Sequence, residues 1–481
     1  MGARSGNNYL SSLKKLGAEI FLAGERITDV TTHRAFRNCA RSVAQLYDMQ
    51  IEHPEAMTFR TDDGGRAGLS FHPPRTPQEL AKRSRMMKAW ADFSGGFMGR
   101  TPDYLNVSIA AMAAAHEFFA QSDPRFGDNI QGYYREARAH DWCATHTLVN
   151  PRATRAQGWA ENTDAELAPR IVEKTRGGII VSGCQMLATL APMSEELLVF
   201  PATVLKADPA AEPFALSFAI NCNASGLRFL CRDSYDCGAP KFDAPLASRF
   251  DEMDCVVIFD NVSVPWERVF LCGDVARCNA LYDATNAVVH MNHQAAVKNV
   301  AKSEFLLGLA TRIAQACGAT ALQHTRERLA EMITTTETMR ACLRAAEADA
   351  TLDKWGVCVP ARAPLDTARH LFARLYPRMV EILELMSSPS LMATPADADF
   401  ANPAERADID RYLRADDAGA RERVALLRLA ADVACSAFGA RQVLFERFSF
   451  SDPAGMASAL VDSTDLQPLA ERINAFLELP D

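Results

Sequence analysis

Five short runs of β-forming residues lie between two long stretches of helical period, and this order limits the folds open to the chain. The runs are Gly178–Val181, Leu197–Phe200, Phe214–Ile220, Leu227–Leu230 and Cys255–Phe259, separated by polar or Gly/Pro breaks. Such spacing predicts a small antiparallel sheet or barrel. Before it, Leu10, Leu13, Leu16 and Ile20 recur at helical spacing, and Pro73, Pro74 and Pro77 break the chain ahead of a helical run from Gln78 to Ser94. After it, Val297, Val300, Ala301, Leu306, Leu309 and Ile313 form one apolar stripe, and Leu329, Met332, Ile333, Thr336 and Leu343 form another. Arg421–Arg441 reads as a further bundle helix, and the Asp/Ala/Pro tract near Pro395–Pro403 reads as a loop. The expected organisation is an N-terminal helical domain over residues 1–145, a β domain over 146–275 and a helical bundle over 276–481. A deep cleft is expected where bundle and sheet meet.

Charge and cysteine usage narrow the setting. The formal charge of −9 has both signs interspersed, which disfavours nucleic acid and anionic membranes as main partners. The longest uncharged apolar stretches, such as Gly177–Pro192, are too short to span a bilayer, and the N-terminus shows no export signal. Thirteen cysteines without a C-x-x-C pair suit buried, reduced thiols in the cytoplasm, and zinc spacing is absent. No G-x-G pair occurs among the 25 glycines, so neither a dinucleotide fingerprint nor a P-loop is present. G-x-S-x-G and H-E-x-x-H are absent too.

Five segments concentrate residues that could carry chemistry. In Gly99–Asn106, Arg100 and Tyr104 flank a helix start at which Thr101 can cap, Pro102 suits the first helical position and Asp103 complements the dipole. A cation beside free backbone N–H groups would receive a phenolate or other small anion; the plain alternative is a surface arginine before an ordinary helix. Thr145–Arg155 gathers His146, three threonine hydroxyls, and Arg152 and Arg155, which suit a phosphate or pyrophosphate. His146 is of the type that takes a phenolic proton near neutrality, or else a hydrogen-bonded core imidazole. Ser182–Pro192 reads as a strand ending in a Gly-bearing loop. Ser248–Trp266 reads as a structural strand with a turn and an ion pair. His290 and His293 share a helix face and read as cleft-lining or structural imidazoles in preference to metal ligands. Gly95–Gly99 reads as a turn built for close packing.

Together these segments resemble the large (oxygenase) component of the 4-hydroxyphenylacetate 3-monooxygenase family, the two-component flavin hydroxylases. The resemblance runs from Gly24–Thr31 through the segments above to Glu446–Pro453. It implies a mainly α chain with a small β domain, of acyl-CoA-dehydrogenase-like fold, with an N-terminal helical domain, a middle β-barrel and a C-terminal four-helix bundle, assembled as a homotetramer (a dimer of dimers). It further implies FAD, supplied reduced as FADH2 by a separate, transiently bound NAD(P)H:flavin reductase, with O2 adding at flavin C4a. The product would be a catechol, made by hydroxylating a 4-substituted phenol ortho to its hydroxyl. Carried over residue by residue, the resemblance makes Arg100, Tyr104 and His146 catalytic and substrate-binding, with Pro201, Ala202 and Thr203 meeting the substrate's side chain. FAD would contact His146, Thr147, Leu148, Arg152, Ala153, Thr154, Arg155, Thr189, His293, Ser449, Phe450, Ser451 and Asp452. Ser451 stands where the family commonly has glycine. The competing readings are a dehalogenating or denitrating phenol hydroxylase, a non-catalytic scaffold, and a radical CoA dehydratase of the same fold. The last is disfavoured because no cysteine lies between Cys39 and Cys143 or between Cys278 and Cys317.

Overall fold

A computed structural model describes residues 2–62, 64–147, 149–151, 167–201, 205, 208–415, 418–449 and 453–479. Helix starts follow the local chemistry. Ser5 caps the helix Gly6–Leu16, whose end is set by Gly17 in the left-handed region. Thr76 accepts from the Glu79 N–H (3.2 Å) ahead of Pro77 at the start of Pro77–Phe93, and Asp123 precedes Pro124 in the same way at Pro124–His140. Ile20 does not continue the first helix. It enters the strand Glu19–Leu22, which turns back as Glu25–Ile27.

That N-terminal hairpin completes a six-stranded sheet in the order Glu25–Ile27, Glu19–Leu22, Leu227–Cys231, Asp254–Pro265, Gly178–Thr189, Arg170–Lys174. A second sheet orders Val269–Cys272, Leu216–Asn221, Glu196–Val199 and Ala144–Thr147. All five predicted strands are present, but two expectations change. First, Gly183 does not end its strand, which runs on to Thr189. At φ +130° Gly183 sits where a Cβ would meet the Ala168 carbonyl at 2.3 Å, and the ladder slips between Phe259 and Val262. Second, the described strands form no closed barrel. Each sheet keeps two edges, and the two share a core in which Phe218 and Phe259 meet edge to face at 6.2 Å. A hairpin drawn from the helical region occupies an edge that closure would have needed.

The bundle is organised by the 30-residue helix Ala287–Ala316, packed against Pro77–Phe93, Asp103–Ala114, Gln323–Ala348 and Arg362–Ser387. The first predicted stripe is buried throughout, whereas Ile333 of the second is 49% exposed and lies off the seam. Arg421–Arg441 is not one helix. Ala420–Ala434 stops before Ser436, which caps Ala437–Phe448 by accepting from the Gly439 N–H (2.9 Å), because the second helix turns to meet the strand domain. The tract near Pro395–Pro403 is likewise not all loop. Asp399 accepts from the Ala396 N–H (2.7 Å) and Asn402 from Ala404 (3.1 Å), starting the short helices Asp397–Ala401 and Pro403–Tyr412. No helix of the described residues is long and apolar enough to cross a membrane.

Candidate active site

The site forms where the start of Asp103–Ala114, the end of Ala437–Phe448 and the strand Ala144–Thr147 converge. Gly95 and Gly96, both at positive φ, let the preceding turn lie against the helix Ala287–Ala316. A Cβ on Gly99 would stand 2.4 Å from the Phe445 ring, so this position admits no side chain without displacing that ring. The expected packing turn is therefore also the mount of Arg100. The guanidinium carbon lies 3.9 Å from the Tyr104 ring centroid and 4.9 Å from that of Phe445. Arg100 Nη2 donates to the Ser449 carbonyl (3.2 Å) and Nη1 to that of Gly99 (3.3 Å). The cation is thus held between two rings and tied across 349 residues of sequence.

One element of the expected anion receptor is corrected. The backbone N–H groups of Gly99 and Arg100 both donate to the Glu252 carboxylate, at 2.9 and 2.7 Å. Nor does Thr101 cap the helix; its hydroxyl donates to Asp103 Oδ1 (2.6 Å), which also receives Gln294. Burial pushes the Asp103 carboxyl up to about 6 against these hydrogen bonds. The strand segment around Glu252, read from sequence as structural, is the clamp. Arg441 grips Asp254 through two hydrogen bonds (2.7 and 2.9 Å) and reaches Glu252 at 3.5 Å.

Across the cleft, His146 faces Tyr104, with ring centroids 5.6 Å apart and planes tilted by 32°. Burial, reinforced by the charge of Arg100, lowers its pKa to about 3, so the imidazole is neutral. Its Nδ1 is buried without a partner among the described residues. Tyr104 is raised by burial against the opposing charges of Arg100 and Arg369 and stays a phenol. A small recess opens between Arg100, Tyr104, Leu105, His146, Leu187 and Thr189. Leu187, at φ +65° and 54% exposed, forms its lip. The Thr189 hydroxyl donates to Asp254 (2.7 Å) while its carbonyl receives Thr145 (2.6 Å), and the Thr147 hydroxyl donates to the Met186 carbonyl (3.0 Å).

The remaining predicted residues fall into two groups. Pro201 lines a neighbouring recess with Phe200, and Phe200 meets the Tyr282 ring at 5.5 Å. The Tyr282 hydroxyl is buried without a partner among the described residues. His293 lies in the bundle, bonded to Glu347 (2.9 Å), and His290 accepts from Arg83 (2.8 Å) through a ring that burial keeps neutral. Leu148, Arg152, Ala153, Thr154, Arg155, Ala202, Thr203, Phe450, Ser451 and Asp452 lie outside the described residues. Sequence reasoning missed Phe445, Leu187 and Tyr282. Phe445 lies in the same C-terminal segment as Ser449, but nothing local marks one aromatic of a bundle helix as the seat of a distant arginine.

Comparison with known proteins adds independent findings. Two family models, described as "4-hydroxyphenylacetate 3-hydroxylase N terminal" and "C terminal", match residues 5–271 and 278–478. The chain is 44% identical to the 4-hydroxyphenylacetate 3-monooxygenase oxygenase component of Geobacillus sp. (strain PA-9), covering 99% of this chain and 97% of that one. It is 42% identical to the protein of the same name from Thermus thermophilus, over 99% and 98% of the two chains. A crystal structure of such an oxygenase component complexed with FAD and 4-hydroxyphenylacetate superposes with a TM-score of 0.95 at 42% identity, covering 99% and 98%.

The seat of Arg100 is testable without touching a polar group. Gly99→Ala drives Phe445 away from the guanidinium, and phenol affinity is expected to fall about tenfold while the fold persists. Titration calorimetry beside a thermal melt checks this; unchanged phenol binding would show that the stacked arrangement is unimportant.

Proposed function

The chain belongs to the 4-hydroxyphenylacetate 3-hydroxylase family and is a flavin-dependent monooxygenase, and from this premise we propose that it hydroxylates a 4-substituted phenol ortho to its hydroxyl. The observation that carries the reading is the pairing of a stacked, doubly hydrogen-bonded Arg100 with a neutral His146 whose Nδ1 has no partner among the described residues. A second partner, a separate flavin reductase, follows from the naming of the relatives as oxygenase components.

The groups lining the recess suit the edge of the cofactor's ring. A buried imidazole nitrogen without a partner and the Thr189 hydroxyl oxygen offer the flavin edge hydrogen-bonding groups, and the lip at Leu187 offers an apolar surface. We assign the cofactor to His146, Thr147 and Thr189, with Leu148, Arg152, Ala153, Thr154, Arg155, His293 and the 449–452 segment as further contacts. Bound reduced FAD activates O2 so that one oxygen atom can be transferred to a nucleophilic carbon.

The chain's own residues make that carbon nucleophilic. A phenolate pushes electron density onto its ortho carbon far more strongly than a phenol does. His146, neutral and able to accept, shares the phenolic proton as a hydrogen-bond acceptor, and Arg100 with the Tyr104 hydroxyl stabilises the charge that develops on the phenolic oxygen. Burial matters twice here. It keeps His146 unprotonated before substrate arrives, and it strengthens each of these charge interactions by excluding water. Pro201, Ala202 and Thr203 are assigned to the substrate's para substituent.

Two further statements belong to this proposal. The thirteen cysteines are all thiols, which supports a reducing, cytoplasmic setting. Leu466, Leu469, Ile473 and Phe476 fall on one side of the last helix, each about half exposed or more, which supports burial of that face against other copies in a homotetramer. Sedimentation equilibrium should return a tetramer mass that falls on Ile473→Lys; a wild-type monomer would refute this.

Arg100→Ala and His146→Ala are expected still to bind FAD, His146→Ala more weakly because a flavin contact is lost, yet to lose at least about 100-fold in catechol formation, with O2 consumed as H2O2 instead. Wild-type coupling of O2 to product in both variants would sink the assignment. Because the His146 pKa is lowered from its ordinary 6.5, the base form persists as pH falls. The kcat/KM profile should therefore show no histidine limb between about pH 5 and 8, and an acid limb near 6.5 that disappears in His146→Gln would contradict this.

A further inference from the structure

Behind Phe445 the bundle buries a second set of charges that the mechanism above leaves unused. Lys298 and Lys302, one turn apart on Ala287–Ala316, both donate to the same oxygen, Glu446 Oε1, at 2.5 and 2.6 Å. Their side chains are 3% and 1% exposed, and that of Glu446 is 4%. Lys302 also donates to Gln442 Oε1 (2.8 Å), whose amide donates to the Phe97 carbonyl (3.0 Å). Aromatic rings enclose the group. Lys298 Nζ lies 5.2 Å from the Phe445 centroid and 5.8 Å from Phe372, while Lys302 Nζ lies 4.8 Å from both Phe97 and Tyr376.

With both lysines protonated, two ammonium groups on one carboxylate leave a surplus positive charge in a dry interior. Removing a charge from water without full compensation is costly, and a well-packed apolar group in place of one lysine would lower that cost. Among the described residues, the neighbouring charges do not cancel it. Arg100 faces Lys298 across Phe445, Arg441 faces Lys302, and the further carboxylate that acts on Lys302, Glu252, is engaged by Arg441 and the Gly99–Arg100 backbone. Burial lowers the Lys298 pKa to about 7, against the pull of Glu446. The surplus charge is separated from Arg100 by one aromatic ring, and so lies in the wall of the proposed cleft.

We propose that Lys298 and Lys302, sharing Glu446, make the site prefer the anionic reduced isoalloxazine over the neutral oxidised one. The inference rests on the flavin reading given above and deepens it: the two lysines hold positive charge at a distance, and the flavin that can discharge it is the reduced one. An enzyme served by a diffusing reduced flavin needs that selectivity, because oxidised FAD competes for the same site.

The test is anaerobic equilibrium titration of the full-length protein with oxidised FAD and with dithionite-reduced FAD. Wild type should bind the reduced form more tightly. Lys298→Met should lower the ratio of the two affinities about tenfold with oxidised FAD bound as before, and Lys298→Arg should retain the wild-type ratio. An unchanged ratio in Lys298→Met, or equal weakening of both forms, would overturn the proposal. So would a loss confined to phenol binding by the flavin-free protein, since the charge would then serve the substrate. If Lys298→Met does not fold, the wild-type complex still decides. Its bound reduced flavin should show the absorption of the anion at a pH where free reduced flavin is protonated, and the neutral spectrum would refute the idea. Wild type that binds neither form would instead overturn the flavin reading itself.

Discussion

The junction of Glu252, Asp254 and Arg441 is the interaction on which the rest of the architecture depends. It joins three parts of the chain that share no local sequence: the turn before Asp103–Ala114, the start of the strand Asp254–Pro265, and the last long helix of the bundle. Glu252 and Arg441 are buried and Asp254 is largely so, so each is tolerable only with its partners in place. Arg441 is held protonated by Asp254 and Glu252 in spite of burial, and the same guanidinium, with that of Arg232, keeps the Asp254 carboxyl well below its ordinary range. Removing one member would strand the others without water, a loss of about 3–5 kcal/mol for a buried pair. The junction therefore acts as an all-or-none fastener that sets the cleft geometry.

What the fastener positions is a site in which burial does most of the electrostatic work. The same desolvation that lowers His146 raises Tyr104 and Asp103, so acid and base are set by position in the fold with few direct ion pairs. Arg100 is the exception that makes this possible. Two aromatic faces and two carbonyls are among the groups that orient its guanidinium.

Much of this was legible in the chain. Thr76-Pro77 and Asp123-Pro124 announce helix starts because a cap oxygen and a fixed φ act within one turn. The five strands show as apolar β-forming runs because side-chain period is local too. Legibility fails where a distant segment overrides the local signal. Ile20 fits the helical stripe yet pairs with Phe229 in a sheet, and Gly183 looks like a strand end yet is a bend in a longer strand. The resemblance implied a middle β-barrel, whereas the described strands form two open sheets, with the N-terminal hairpin at one sheet edge.

The amino-acid sequence by itself determined which groups could do the chemistry, the order of helical and β regions, and the absence of a nucleotide fingerprint, since these reside in residue type and short-range period. Only the tertiary structure decided what those groups became. It committed the backbone amides before Asp103 to Glu252, set Arg100 on Phe445 and left an imidazole neutral. The physical reason is that dielectric, charge balance and steric room are properties of what surrounds a residue, and here those surroundings come from segments up to 349 positions away.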